Sequence, residues 1–383
     1  MQLSVIILNY NVSYFLRQCV LTVQEALVGI DSEIIIVDNH SSDDSCAMVK
    51  KYFPEIKLVE NKENVGFSKA NNQGVAIAKG AYVCILNPDI AVPKNVFKKS
   101  LEFANTKSDL GALGVRLIDG TGNFLPESKR NIPKPKVVFN KITGIKSTKN
   151  SYYASQIDQT EIGEVSVLVG AFMLLKTTVY KEVDGFDEDY FMYGEDIDLS
   201  FKLLKAGYKN YYLGDITVLH YKGESTTKDK TYLKRFYGAM HIFYKKHFKS
   251  NSIFKTLVFL GVSMAKFVNI FRNSSSVSTS NNPENYFLLS DNIGFLKKLS
   301  KASEIELKSL SKSAVTDVKT FNSYFIFDAN YISYEKIFKA MDFLKNKGNT
   351  FRIRPVDSDF IIGSDSSNTK GDVFDFSNDQ VTK

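Results

Sequence analysis

Three carboxylates fall within four residues at Glu195-Asp196-Ile197-Asp198, directly after Phe191-Met192-Tyr193-Gly194. Leu199, Leu203 and Leu204 follow at helical spacing, so the acids open an amphipathic helix. Acids in a first helical turn have a structural explanation, as caps and as partners of the helix dipole. They also have a chemical one: a carboxylate in a partly desolvated cleft can take the proton of an attacking hydroxyl. Spacing alone favours the structural explanation. A further acid closes Asn87-Pro88-Asp89, just past an apolar run. A carboxylate held beyond a strand end can ligate a hard divalent cation and through it a diphosphate. In isolation the tripeptide is a common turn.

The elements around these residues give them a context. Residues 3–8 and 33–37 are continuous apolar, β-branched runs, as in strands buried on both faces. Residues 56–60 and 81–86 read as two more strands. Helical periodicity covers 14–27 and 69–79, the latter stopped by Gly80, and Ser41-Ser42-Asp43-Asp44 reads as the cap of a helix running to about Tyr52. Strands alternating with helices predict an α/β fold, a parallel sheet with helices on both faces. Ligands of such sheets bind beyond the carboxyl ends of the strands. Four polar clusters lie there: Asn9-Tyr10-Asn11, Asp38-Asn39, the stretch from Asn61 to Asn64, and Asn87-Pro88-Asp89.

In order along the chain run Ser4-Val5-Ile6-Ile7-Leu8-Asn9-Tyr10-Asn11, Ile36-Val37-Asp38-Asn39, Asn64-Val65-Gly66-Phe67 with Ala70-Asn71-Asn72-x-Gly74, and Leu86-Asn87-Pro88-Asp89. Gly170-Ala171-Phe172-Met173, Asp184-Gly185-Phe186-Asp187, Tyr193-Gly194-Glu195-Asp196-x-Asp198-Leu199 and His220-x-x-Gly223-x-Ser225 continue the series. Together they resemble the family 2 glycosyltransferases of the GT-A fold, most of all the rhamnosyltransferase-type branch, over about residues 1–250. The resemblance implies a mixed, mainly parallel sheet and an inverting, single-displacement transfer. It implies that Asn9, Asn11, Asn39, Asn64, Gly66, Asn71 and Asn87 line the nucleotide and donor site, and that Asp38 accepts the imide N–H of uracil or thymine. Asn87 stands where the family usually has the first acid of D-x-D, which leaves Asp89 most of the metal contact. His220 is a candidate second ligand, for Mn²⁺ more than Mg²⁺. Asp196 is the implied general base, and Glu195 orients the acceptor or Asp196.

The 383 residues are 44% hydrophobic and 24% charged, an ordinary globular composition that excludes wholesale disorder. Cys19, Cys46 and Cys84 form no C-x-x-C pair and point to a reducing compartment. Residues 1–8 carry no basic n-region and do not read as a signal peptide. The net charge of +7 is uneven: between Tyr221 and Arg272 eleven basic residues face only Glu224 and Asp229. Such a block fits phosphate, of nucleic acid or of anionic lipid. It adjoins residues 253–271, where Lys255 and Lys266 share one face and Phe254, Leu257, Phe259, Leu260 and Phe267 the other. That pattern suits either a headgroup layer or packing on the protein's own core. The aromatics between Tyr232 and Phe248, interleaved with lysines, could stack bases. They read better as a membrane-facing helix, and no nucleic-acid partner is expected. His40, His241 and His247 read as structural or exposed.

The organisation expected is a GT-A domain at 1–225, a basic amphipathic helical segment at 226–272, a polar linker at 273–284 and a small α/β domain at 285–383. The last has no G-x-G-x-x-G and no P-loop. The activity expected is transfer of a sugar from dTDP-rhamnose or a UDP-sugar to a glycan or lipid-linked acceptor, with Mn²⁺ or Mg²⁺. The setting expected is cytoplasmic, peripheral at the inner face of the membrane. A sugar-phosphate nucleotidyltransferase would need a glycine-rich basic loop where Asn9-Tyr10-Asn11-Val12-Ser13 stands. A non-catalytic nucleotide-sugar module would have no need of the Glu195-Asp196 pair.

Overall fold

The computed structural model describes residues 1–133, 151–222, 230–248, 283–313, 315, 320–366 and 370–377. The expected amphipathic stretch at 253–271 and nearly all of the linker lie outside them.

The chain begins β1 (Leu3–Asn9), α1 (Ser13–Ala26), β2 (Ser32–Asp38), α2 (Ser45–Tyr52), β3 (Lys57–Glu60), α3 (Phe67–Ala76) and β4 (Tyr82–Leu86). The expected order is therefore present, with α3 ending short of Gly80. Then come β5 (Ile90–Ala91), α4 (Val96–Asn105), β6 (Leu110–Ile118), β7 (Lys129–Arg130), β8 (Ile162–Val165), β9 (Val167–Leu168) and β10 (Phe172–Lys176). The helices α5 (Thr177–Glu182) and α6 (Glu195–Lys205), the strand β11 (Lys209–His220) and the helix α7 (Lys230–His247) complete this part.

Among the described residues the first sheet has nine strands, in the order β3-β2-β1-β4-β10-β6-β11-β5 with β8 beside β11. It is mixed: β10, β5 and β8 run against the other six. Alternation along β1 explains how both faces are covered. Leu3, Val5 and Ile7 join a core with Leu16, Val20 and Val23 of α1 and Phe97 of α4. Ile6 points the other way, into a core with Ala70 and Val75 of α3 and Leu199 and Leu203 of α6.

A second sheet begins at Asn285. Its elements are β12 (Asn285–Leu289), α8 (Ile293–Ser303), β13 (Lys308–Ser309), β14 (Ser323–Asp328), α9 (Tyr334–Leu344), β15 (Thr350–Arg354), β16 (Phe360–Gly363) and β17 (Asp372–Asp375). The order is β13-β12-β14-β15-β16-β17, parallel up to β15. Phe295 and Leu299 of α8 cover one face. The other face packs with α9 on the first unit, where Phe15, Ile118, Leu219 and Tyr221 share one core with Phe325, Ile337, Phe338 and Met341. Polar bonds cross the same boundary, from Gln18 Nε2 to Tyr334 Oη at 3.3 Å and from Arg116 Nη2 to Asp342 Oδ1 at 3.2 Å.

Two aromatics of α7 correct a reading made from the sequence. Phe243 and Tyr244 do not face outward. They are buried with Tyr190 and Ile197, and Phe201 packs against them. Apolar area on a helix that lies beside α6 gains more from that neighbour than from exposure. Lys246 points out and pairs with Asp187 and Asp189.

Candidate active site

Asn9 and Asp38 end adjacent parallel strands in register, so their side chains meet. Asn9 Nδ2 donates to Asp38 Oδ2 at 2.7 Å, and Ser41 N donates to Asp38 Oδ1 at 2.8 Å. Ser41 Oγ accepts from Asn9 Nδ2 and Asn11 N. The 41–44 run does end in the N-cap of α2, Asp44, whose carbonyl accepts from Met48 N, but no side chain makes a capping bond from that position. Ser41 braces the strand ends instead, and Asp43 accepts from Ser45 N. Asn11 sits in the left-handed region at φ 56° and accepts from Ser42 N.

Asn39 extends the cluster. Its Nδ2 donates to Asn64 Oδ1 at 2.8 Å, and its Oδ1 accepts from Val65 N. Gly66 has φ 87°, and a Cβ there would lie 2.7 Å from Phe191 O. Only glycine fits both the conformation and the approach. Phe67 N donates to that same Phe191 O, so the donor-side loop is clamped to the segment leading into Glu195. Asn71 is fully buried on α3 and donates to Phe67 O. Among the described residues no hydrogen bond ties it to the other candidates.

Asn87 and Asp89 follow β4, and β5 pairs antiparallel with the end of β11, His220 opposite Ile90. His220 Nε2 is therefore 3.3 Å from Asp89 Oδ1 and 3.4 Å from Asn87 Nδ2. His220 Nδ1 is buried without a hydrogen-bond partner among the described residues. Asp89 Oδ2 accepts from Lys222 N at 3.1 Å. No group of three or more His, Cys, Asp or Glu side chains among the described residues is arranged to hold a metal. One carboxylate and one imidazole in contact do fit a cation that takes its remaining ligands from phosphate oxygens and water.

The three acids of α6 do not cap it. Gly194 is the N-cap, in the left-handed region, and no side chain makes a capping bond. Asp196 Oδ2 instead accepts from Arg130 Nη2 at 2.6 Å and from Gly170 N at 3.2 Å, and Oδ1 accepts from Ile197 N. Burial disfavours the Arg130 charge, but Asp196 and Tyr152 raise its pKa all the same. Glu195 is buried, and its Oε2 has no partner among the described residues. Burial first and the Asp196 charge second push its pKa up to about 8. Asp198 has no exposed surface and is held by Tyr190 Oη at 3.2 Å and by His247 Nε2 at 2.5 Å.

The donor side and the acid side meet at the two residues that lead into β10. Asn87 N donates to Ala171 O at 3.0 Å, and the preceding residue, Gly170, donates to Asp196. The structure adds residues that spacing did not suggest: Glu127 and Arg130 from one short segment, Lys222, Tyr190 and His247. Lys222 lay inside the basic block and His247 was read as structural; nothing local marks Arg130.

Comparison with known proteins decides the family. The model described as glycosyl transferase family 2 matches residues 4–184, and that of glycosyl transferase family group 2 matches residues 137–277. The chain belongs to the family 2 glycosyltransferases. It is 28% identical over 236 residues, 58% of this chain and 73% of the relative, to an N-acetylglucosaminyl-diphospho-decaprenol L-rhamnosyltransferase of Mycobacterium tuberculosis. It is 29% identical over 167 residues, 41% of this chain and 61% of the relative, to the rhamnosyltransferase WbbL of Escherichia coli. Among solved structures, Staphylococcus aureus TarS (residues 1–349) aligns with a TM-score of 0.45 at 15% identity, covering 83% of this glycosyltransferase and 80% of that chain. Neither family model reaches the second sheet of this glycosyltransferase, which begins at Asn285.

Proposed function

We propose that this glycosyltransferase inverts the anomeric centre of a nucleoside-diphosphate sugar, dTDP-rhamnose or a UDP-sugar, and passes the sugar to a hydroxyl of a glycan or lipid-linked saccharide in cell-surface polysaccharide synthesis. One observation carries the reading. Consecutive residues of the segment entering β10 bond Asn87 on the donor side and Asp196 on the acid side. A leaving diphosphate and a base at opposite ends of so short a stretch suit in-line displacement. The mycobacterial relative's name supports rhamnose and a polyprenyl-diphosphate acceptor.

Asn9, Asn11, Asp38, Asn39, Asn64, Gly66, Asn71 and Asn87 take the nucleotide and sugar, with Asp38 the acceptor for the base imide. Asp89 and His220 would hold a divalent cation, Mn²⁺ or Mg²⁺, which when bound neutralises charge on the diphosphate. Asp196 removes the acceptor proton. A second reading gives that role to Glu195. It is favoured by the open Oε2 and the raised pKa, whereas hydrogen bonds already occupy both oxygens of Asp196. The basic segment at 226–272 would keep the enzyme at an anionic inner membrane face. No helix among the described residues is long and apolar enough to cross a membrane.

The test is thermal-shift titration with UDP, dTDP, GDP and CDP, each with and without Mn²⁺, followed by NMR of the product anomer. A metal-dependent rise with UDP or dTDP and an inverted product are expected. No shift with any nucleotide overturns the donor site, and retained configuration overturns the mechanism.

A further inference from the structure

Lys222 lies at the heart of the diphosphate region, yet the proposed reaction leaves it without a role. Its backbone is held in the left-handed region at φ 63°, and its N–H donates to Asp89 Oδ2. Its ammonium pairs with Glu127, whose side chain arrives from the turn before β7. Burial opposes ionisation of Glu127, but Lys222 and, more weakly, His220 hold its carboxyl below the usual range. Lys222 keeps 30% of its side-chain surface exposed and Glu127 21%.

The local charges explain why a cation is wanted here. Asn87 brings an amide where a second acid would stand, so Asp89 is the one carboxylate of the Asn87-Pro88-Asp89 turn. A divalent cation offset by Asp89 leaves a nucleoside diphosphate incompletely neutralised. Lys222 is anchored on that same carboxylate by its backbone. A lysine on a four-carbon stem can change partners, and a partly exposed ion pair costs little to open. Phosphate oxygens carry more charge than one carboxylate and form stronger charge-assisted hydrogen bonds.

We infer that Lys222 is a diphosphate-binding residue of the donor site, parked on Glu127 until a nucleoside diphosphate draws its ammonium away. The inference rests on the donor-site reading above. Glu127 then competes with the ligand, so the two partners of one ion pair have opposite effects on affinity. A merely structural pair would give both substitutions the same sign.

Calorimetric titration of the full chain with UDP, dTDP, UMP and dTMP, with Mn²⁺ present, tests it. Wild type and K222Q bind the monophosphates alike, whereas K222Q loses about tenfold or more of its diphosphate affinity, the loss of one hydrogen bond to a charged group. E127Q binds the diphosphates more tightly than wild type. K222R retains most of the preference for diphosphate. An unchanged preference in K222Q, or weaker diphosphate binding in E127Q, overturns the inference and leaves the donor site standing. No binding of any of the four nucleotides by wild type overturns the donor site and this inference with it. Melting temperatures of the variants, read alongside, separate misfolding from lost contact, and E127Q keeps the prediction testable if K222Q does not fold.

Discussion

Arg130 Nη2 lies 2.6 Å from Asp196 Oδ2, and both side chains are buried. The same nitrogen also donates to Leu168 O at 2.9 Å. A guanidinium so placed fixes the start of α6 to the strand beside it and sets where Asp196 can point. Arg130→Ala leaves an unpaired carboxylate in a low-dielectric site, which costs about 3–5 kcal/mol. Denaturant unfolding is expected to show that loss, and turnover should fall with it. Arg130→Lys keeps the charge but not the fork, and should recover stability more than turnover. Wild-type turnover in Arg130→Ala would remove the residue from the site.

Asp196 and Glu195 are separable by kinetics. Loss of the base costs on the order of 10²–10⁴ in turnover with little change in donor affinity. Asp196→Asn is expected to show it. If the loss appears in Glu195→Gln instead, the second reading holds.

The raised pKa of Glu195 gives two pH signatures. If Glu195 must lose its proton to act, kcat/KM rises with pH through about 8, and the limb is absent in Glu195→Gln. Stability runs the opposite way. The folded state holds this proton more tightly than the unfolded chain, so the favourable contribution is complete below the ordinary glutamate value of 4.5 and is lost as pH rises through about 8. Glu195→Gln should therefore gain in melting temperature relative to wild type between those limits. A constant difference would show that Glu195 is not so perturbed.

Much of this site was legible in the sequence because its parts are local. The strands carrying Asn9, Asp38 and Asn87 announce themselves as apolar, β-rich runs, and strand ends collect ligand groups by topology alone. What is non-local stayed hidden. Arg130 meets Asp196 across 66 residues, and Lys222 meets Glu127 across 95. The acids of α6 looked like caps because composition cannot show that Gly194 already serves as N-cap and that Arg130, Tyr190 and His247 approach from elsewhere.

Asp89 and His220 make the metal reading testable. Asp89→Ala should abolish the metal-dependent part of donor binding, measured as the thermal shift with UDP or dTDP in Mn²⁺ against chelator. His220→Ala should weaken it and shift selectivity from Mn²⁺ toward Mg²⁺, since only oxygen ligands remain. Identical shifts with and without metal in wild type would show that the cation is dispensable.

The second sheet bears on the same chemistry through its core. Tyr221 N donates to Asp89 O, and the Tyr221 ring is buried in the cluster that includes Phe338 of α9. Phe338 therefore packs in the core behind the residues expected to hold diphosphate and metal. Truncating a buried phenylalanine to alanine costs about 3–5 kcal/mol. If the two sheets fold as one unit, Phe338→Ala lowers a single cooperative melting transition and also weakens nucleoside-diphosphate binding. Two transitions, with only one moved and donor affinity intact, would show instead that the second sheet folds alone and leaves the Asp89 turn in place without it.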